Sequence, residues 1–192
     1  MQRRKILKGL CALGVGAPVI GRSQDASSPE ALAEPRAGDL LVFAYGSNAG
    51  ELITLDSLAV GAKQVFAFPQ DMESGIVRSA NRLNQVVVIR LEPDWLSEET
   101  RARSAEGVVA YSGVCTHTGC DIELWNLEAR RFQCPCHESQ FDPSDGARVV
   151  GGPAPWQLAA LPITLVDGKL TVSEGFQGRV GFQQPGLNPF GL

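Results

Sequence analysis

Between Cys115 and His137 the chain gathers both of its histidines and four of its five cysteines. The first half of this stretch reads Cys115-Thr116-His117-Thr118-Gly119-Cys120, and the second reads Cys134-Pro135-Cys136-His137-Glu138-Ser139. Thiolates and imidazoles are the side chains that bind soft and borderline metals, and so few of them would rarely collect by chance in 23 of 192 positions. The halves present Cys-x-His and Cys-x-x-His with sixteen residues between them, and each holds one further cysteine. The chemistry indicated is a metal centre. Mixed Cys/His sets are most often zinc, and the ligand types by themselves leave zinc open.

The elements that must position these residues read as β strands. Strand signals fall at Leu40–Ala44 and Val65–Phe68, the latter stopped by Pro69, and between them an apolar pattern from Leu52 to Leu58 ends in a turn around Gly61. Residues 70–84 are polar and read as a surface excursion, after which Gln85–Leu91 is apolar enough for a fully buried strand. Ser97 caps a short helix expected to run through Arg103, and Val108–Ser112 then delivers the chain to Cys115. Asp167-Gly168 between Ile163–Val166 and Lys169–Val172 predicts a hairpin with a type I′ turn. With 21 glycines, 12 prolines and no internal repeat, the reading is one all-β domain over 39–192, with the tail from Gly175 lying on its surface.

The first residues belong to something else. Arg3-Arg4-Lys5-Ile6-Leu7-Lys8 followed by an apolar run from Gly9 to Ile20 is the pattern of a twin-arginine export signal, and the run is short for a membrane span. Residues 1–33 are therefore read as a signal peptide, or as an N-terminal anchor if uncleaved, and 34–38 as the end of a flexible linker. Cys11 falls inside the apolar run and reads as one of its apolar residues. The net charge of the whole chain is −4; residues 1–33 carry five basic and two acidic side chains, so removing them leaves 12 against 19, or −7. An acidic domain argues against nucleic acid as a partner and is compatible with a basic docking surface.

Export also bears on which metal is held. The extra cysteine in each half can form a disulfide, which persists in an oxidising compartment. No finger-like helix carries the second Cys/His pair. Two thiolates and two imidazoles are the ligand set of a Rieske [2Fe–2S] centre.

Here the sequence resembles the disulfide-containing Rieske iron–sulfur proteins, in which box one is Cys-Thr-His-x-Gly-Cys and box two is Cys-Pro-Cys-His-x-Ser. A third loop of that family, Gly-Pro-Ala-Pro, is met at Gly152-Pro153-Ala154-Pro155, so the cluster-binding loops span about 113–156. The resemblance implies an antiparallel β-sandwich with a small cluster-binding subdomain formed by loops. It implies that Cys115 and Cys134 bind one iron, that His117 and His137 bind the other, and that Cys120 pairs with Cys136. It also implies that the Ser139 hydroxyl hydrogen-bonds the cluster, with Phe141, Gly152 and Pro153 around it and Thr118 and Glu138 on the partner-docking tip. Rieske oxygenases lack the two disulfide cysteines and need further histidines for a second iron, and this sequence holds no more.

Three positions depart from the quinol-oxidising subunit of cytochrome bc complexes: Thr118 for a common Leu, Glu138 for the usual Gly, and Phe141 for Tyr. Phe141 and the short apolar N-terminal run resemble the arsenite oxidase small subunit, an exported protein paired with a molybdenum catalytic subunit. The proline loop resembles the cytochrome bc version. The implied function is one-electron transfer on the periplasmic side, as the iron–sulfur subunit of a respiratory oxidoreductase. The implied partner is a molybdenum subunit or a cytochrome b/c, with quinol as a further candidate.

Overall fold

The structure is a computed structural model and describes residues 28–182. The twin-arginine stretch, the apolar run with Cys11, and the tail beyond Phe182 lie outside the described residues.

Strand β3 (Val86–Arg90) organises the sheet. It pairs antiparallel with β2 (Val65–Gln70) on one side and β4 (Val108–Ser112) on the other. Because side chains alternate across a strand, Val87 and Ile89 enter one core while Val86 and Val88 enter another. Burial on both faces explains the unbroken apolar run. With β1 (Leu40–Phe43), β9 (Ile163–Val166) and β10 (Lys169–Val172) the sheet has six strands in the order β4-β3-β2-β1-β10-β9. Asp167 and Gly168 both have positive φ (50° and 75°), as the type I′ turn between β9 and β10 requires.

A second sheet is inserted between β4 and β9. It is an antiparallel meander of β5 (Leu124–Asn126), β6 (Arg131–Gln133), β7 (Gln140–Asp142) and β8 (Arg148–Gly151). Its Phe132 and Phe141 pack with Val87, Ile89, Val109 and Tyr111 of the large sheet, and Cys115 and Cys134 belong to this same core. The expected antiparallel β architecture holds, and the small subdomain is a sheet as well as loops. Tyr111 and Trp125 both meet the Phe132 ring edge to face, at 6.3 and 5.8 Å between centroids. The Tyr111 hydroxyl donates to the Pro143 carbonyl (2.8 Å), so the phenol enters this core with its polar end satisfied.

Several sequence expectations give way. Pro69 sits inside β2 opposite Leu41, because β3 has ended by that point and no ladder bond is lost on its side. The short helix ends sooner than expected, as α2 (Glu98–Arg101), capped by Ser97. The segment 70–84 is more than a surface excursion: Arg78 and Asn84 are fully buried and Asp71 nearly so.

The expected linker is likewise tied down. A turn of helix, α1 (Pro29–Leu32), buries Ala31, and Asn84 donates to the Ala33 carbonyl (2.7 Å). Arg78 forks onto Asp39 (2.8 and 3.0 Å) and reaches Asp71 (3.1 Å) and the Glu30 carboxylate (3.0 Å). Arg36 closes the network onto Glu30 and Asp71 (2.6 and 2.7 Å). A buried charge is tolerable only when paired in this way.

Candidate metal centre

The two Cys/His boxes leave the ends of β4 and β6 as loops with the same backbone scheme. In loop 1, Cys115 N–H donates to the Cys120 carbonyl (2.8 Å) and Gly119 N–H to the Cys115 carbonyl (3.0 Å). In loop 2, Cys134 N–H donates to the Ser139 carbonyl (2.8 Å) and Glu138 N–H to the Cys134 carbonyl (3.0 Å). Gly119 and Glu138 are thus equivalent, and both are left-handed, with φ of 83° and 58°. Glycine takes that conformation freely, whereas a residue with a β carbon is strained by about 1–2 kcal/mol. Offset by glycine's greater unfolded-state freedom, Glu138→Gly is expected to stabilise the domain by up to about 1 kcal/mol, read as a higher urea midpoint. An unchanged midpoint would show that the glutamate side chain makes up the strain.

The disulfide joins the loops. Cys120 and Cys136 are bonded across a sequence separation of 16 residues. Among the described residues Cys115 and Cys134 are the free cysteines, and both are buried. The Cys134 sulfur lies within 4.8 Å of both disulfide sulfurs. Burial pushes the Cys115 thiol above its ordinary pKa, and Cys134 beside it pushes the same way; the His117 N–H and the Ser139 hydroxyl pull it back. Two neighbouring thiolates in such a place need a cation.

The His117 and His137 rings stand face to edge, 4.7 Å apart. His137 is exposed, while His117 holds its Nδ1 buried with no hydrogen-bond partner. An orphaned buried imidazole nitrogen is costly unless a metal takes its lone pair. The donor set at this end, two buried thiols and two adjoining imidazoles, fits a [2Fe–2S] group with mixed ligation.

The proline loop covers loop 2. Ser139 is fully buried, and its hydroxyl accepts from the Ala154 N–H (3.1 Å) while lying beside the Cys115 thiol. Gly152 has φ of 78°, and a β carbon there would lie 2.5 Å from Ser139 Cα and 2.9 Å from the Glu138 carbonyl oxygen. Pro153 is exposed beside it. Phe141 is fully buried in the core that contains both free cysteines. Thr118 and Glu138 are exposed, with the Thr118 hydroxyl 3.7 Å from Cys120 Sγ.

Sequence reading passed over two further contributors. The Thr116 hydroxyl donates to the Trp156 carbonyl, binding loop 1 to the proline loop, and Arg179 stacks over the Trp156 ring at 3.9 Å. Arg82 donates to the Gly119 carbonyl and to Asp121, each at 2.6 Å. Nothing local marks an arginine in a polar stretch as reaching a loop 37 residues onward.

Comparison with known proteins gives the family. The Rieske [2Fe-2S] domain family matches residues 62–162. A Streptomyces lividans cytochrome bc1 complex Rieske iron-sulfur subunit is 38% identical over 152 residues, covering 77% of this chain and 84% of that protein. A Haloferax mediterranei protein named as the Rieske subunit of a respiratory nitrate reductase is 50% identical over 134 residues, covering 69% of this chain and 57% of that one. A chain of a hyperthermophilic respiratory Complex III structure aligns at 27% identity with a TM-score of 0.40, over 65% of this chain and 74% of that chain. On the family match and the identity to its relatives, the chain belongs to the Rieske [2Fe-2S] family and is an electron-transfer protein carrying that family's cluster.

Proposed function

We propose that Cys115 and Cys134 hold one iron through Sγ, that His117 and His137 hold the other through Nδ1, and that the protein passes single electrons at this tip within a respiratory oxidoreductase. The observation that carries this reading is that two loops joined by the Cys120–Cys136 disulfide each hold one buried free thiol and one imidazole, the two rings lying 4.7 Å apart and one of them with an orphaned buried nitrogen. When bound, the cluster supplies reversible one-electron chemistry. The protein's own residues do the rest. Nδ1 ligation would leave Nε2 of each ring as the proton-bearing atom, and on the exposed His137 that atom would face a partner. The proline loop and the buried Ser139 hydroxyl shield the inner side from water.

EPR of the dithionite-reduced protein tests the assignment. A Rieske-type signal with two nitrogen couplings is expected, together with a midpoint potential that falls as pH rises above neutrality. A signal without nitrogen coupling, or a potential flat to about pH 10, would refute histidine ligation.

Phe141 sets where that potential lies. Hydrogen bonds to ligand sulfur stabilise the reduced, more negative state, and phenylalanine offers none. Phe141→Tyr is expected to raise the potential by roughly tens of millivolts in film voltammetry. No upward shift would show that a hydroxyl at this buried position reaches no sulfur.

The partner is proposed to be a redox subunit of the same complex, either a molybdenum catalytic subunit or a cytochrome b/c. Relatives named as subunits of a cytochrome bc1 complex and of a respiratory nitrate reductase support membership in such a complex. The cytochrome bc reading, with quinol as donor, is favoured by the 84% coverage of the Streptomyces lividans subunit. Co-purification decides between them by which large subunit is retained. The site is proposed to face the periplasm after twin-arginine export, supported by the Arg3-Arg4 signal and by the disulfide. No helix among the described residues is long and apolar enough to cross a membrane.

A further inference from the structure

Loops 1 and 2 are held from outside in different ways. The proline loop covers loop 2, but the outer flank of loop 1 faces the turn at residues 81–84. That turn has a firm base: Asn81 Oδ1 accepts from Leu83 N–H (3.0 Å), the buried Asn84 bonds the Ala33 and Arg78 carbonyls (2.7 and 3.0 Å), and the Gln85 carbonyl accepts from Gly113 N–H (2.8 Å). Arg82 rises from this base, and its Nη2 donates to the Gly119 carbonyl and the Asp121 carboxylate, each at 2.6 Å. These two acceptors stand on either side of Cys120, the residue that ties loop 1 to loop 2.

We propose that Arg82 is a positioning residue for the cluster, which holds loop 1 through Gly119 and sets the reduction potential through its compensated pair with Asp121. The inference rests on the ligand assignment above. Arg82 and Asp121 are about half and one-third exposed, and an exposed pair of this kind adds little to stability. Its consequences therefore fall on loop geometry and local charge. As a pair the two charges cancel. Removing Arg82 leaves the Asp121 carboxylate uncompensated beside loop 1 and disfavours an added electron. Removing the Asp121 charge leaves a guanidinium there and favours it. Lysine at position 82 would keep the charge but carry it on a flexible stem, without the planar guanidinium that directs Nη2 at both acceptors.

The test uses the full chain loaded with its cluster. Voltammetry should show a lower potential for Arg82→Gln and a higher one for Asp121→Asn. EPR lines should broaden in Arg82→Gln, stay sharp in Asp121→Asn, which keeps the Gly119 bond, and broaden in Arg82→Lys with the potential near that of the parent. Thermal unfolding followed by circular dichroism should be unchanged in all three. If Arg82→Gln moves neither potential nor line shape, or if both neutralising variants move the potential the same way, the proposal is overturned. Absence of a Rieske-type signal from the parent protein would instead overturn the ligand assignment, so the two failures are distinct.

Discussion

Arg78→Met is expected to lower the unfolding free energy by about 3–5 kcal/mol, the usual loss when one partner of a buried ionic network is removed. Methionine occupies similar volume, so little of the loss comes from a cavity. The cost arises because Asp39 and Asp71, both buried, lose a cation, and the Glu30 carbonyl and carboxylate lose a donor. Urea denaturation at neutral pH measures the loss, and proteolysis should then open the segment 28–38, which Arg78 fastens to the domain. A loss below about 1 kcal/mol would mean that the network is no better than a surface pair.

The same network predicts acid lability. Asp71 is held well below the usual carboxylate range, first by the Ser74 N–H, then by the Ser74 hydroxyl and Arg36. A depressed folded-state pKa contributes stability that is fully present above the unfolded value of about 4 and is lost as pH falls below it. Stability of the parent protein should therefore be steady from pH 7 to about 5 and decline below about pH 4.

Gly152→Ala is expected to cost about 2–4 kcal/mol and to displace the proline loop, from left-handed strain of about 1–2 kcal/mol plus overlap with neighbouring atoms. Those atoms are Ser139 Cα and N and the Glu138 carbonyl, all backbone, so no side chain can swing away. The Ala154–Ser139 hydrogen bond should break, and cluster content, read from visible absorbance per protein, should fall with it. Gly61→Ala is the control: its φ of 71° is nearly the same, but an added β carbon meets nothing within 4 Å. Equal losses in the two variants would show that only backbone strain, and no close approach, makes Gly152 necessary.

Legibility in the sequence followed the range of the interactions. β3 could be read because its signal, an apolar run, comes from consecutive residues, and the β9–β10 hairpin because its turn chemistry is confined to Asp167 and Gly168. Pro69 misled because whether a strand tolerates proline depends on which neighbour it faces at that residue, which only the register reveals. Arg78 misled because burial of a charge depends on acids 7, 39 and 48 positions away meeting around it. Glu138 was visible as a departure from glycine, but its left-handed backbone was not.

The cofactor could be read from residue types and their spacing alone. Two Cys/His pairs, two further cysteines and a proline loop are chemical identities at set spacings, and the family match over 62–162 bears out the iron–sulfur reading over zinc. What holds those residues in place emerged only from the packed fold. That fold laid Gly152 against the backbone of loop 2, buried Arg78 to fasten the N-terminal segment, and sent Arg82 to loop 1. The physical reason is that ligand chemistry resides in side chains and survives in a linear text. Burial, register and close backbone approach exist only once distant segments share the same space.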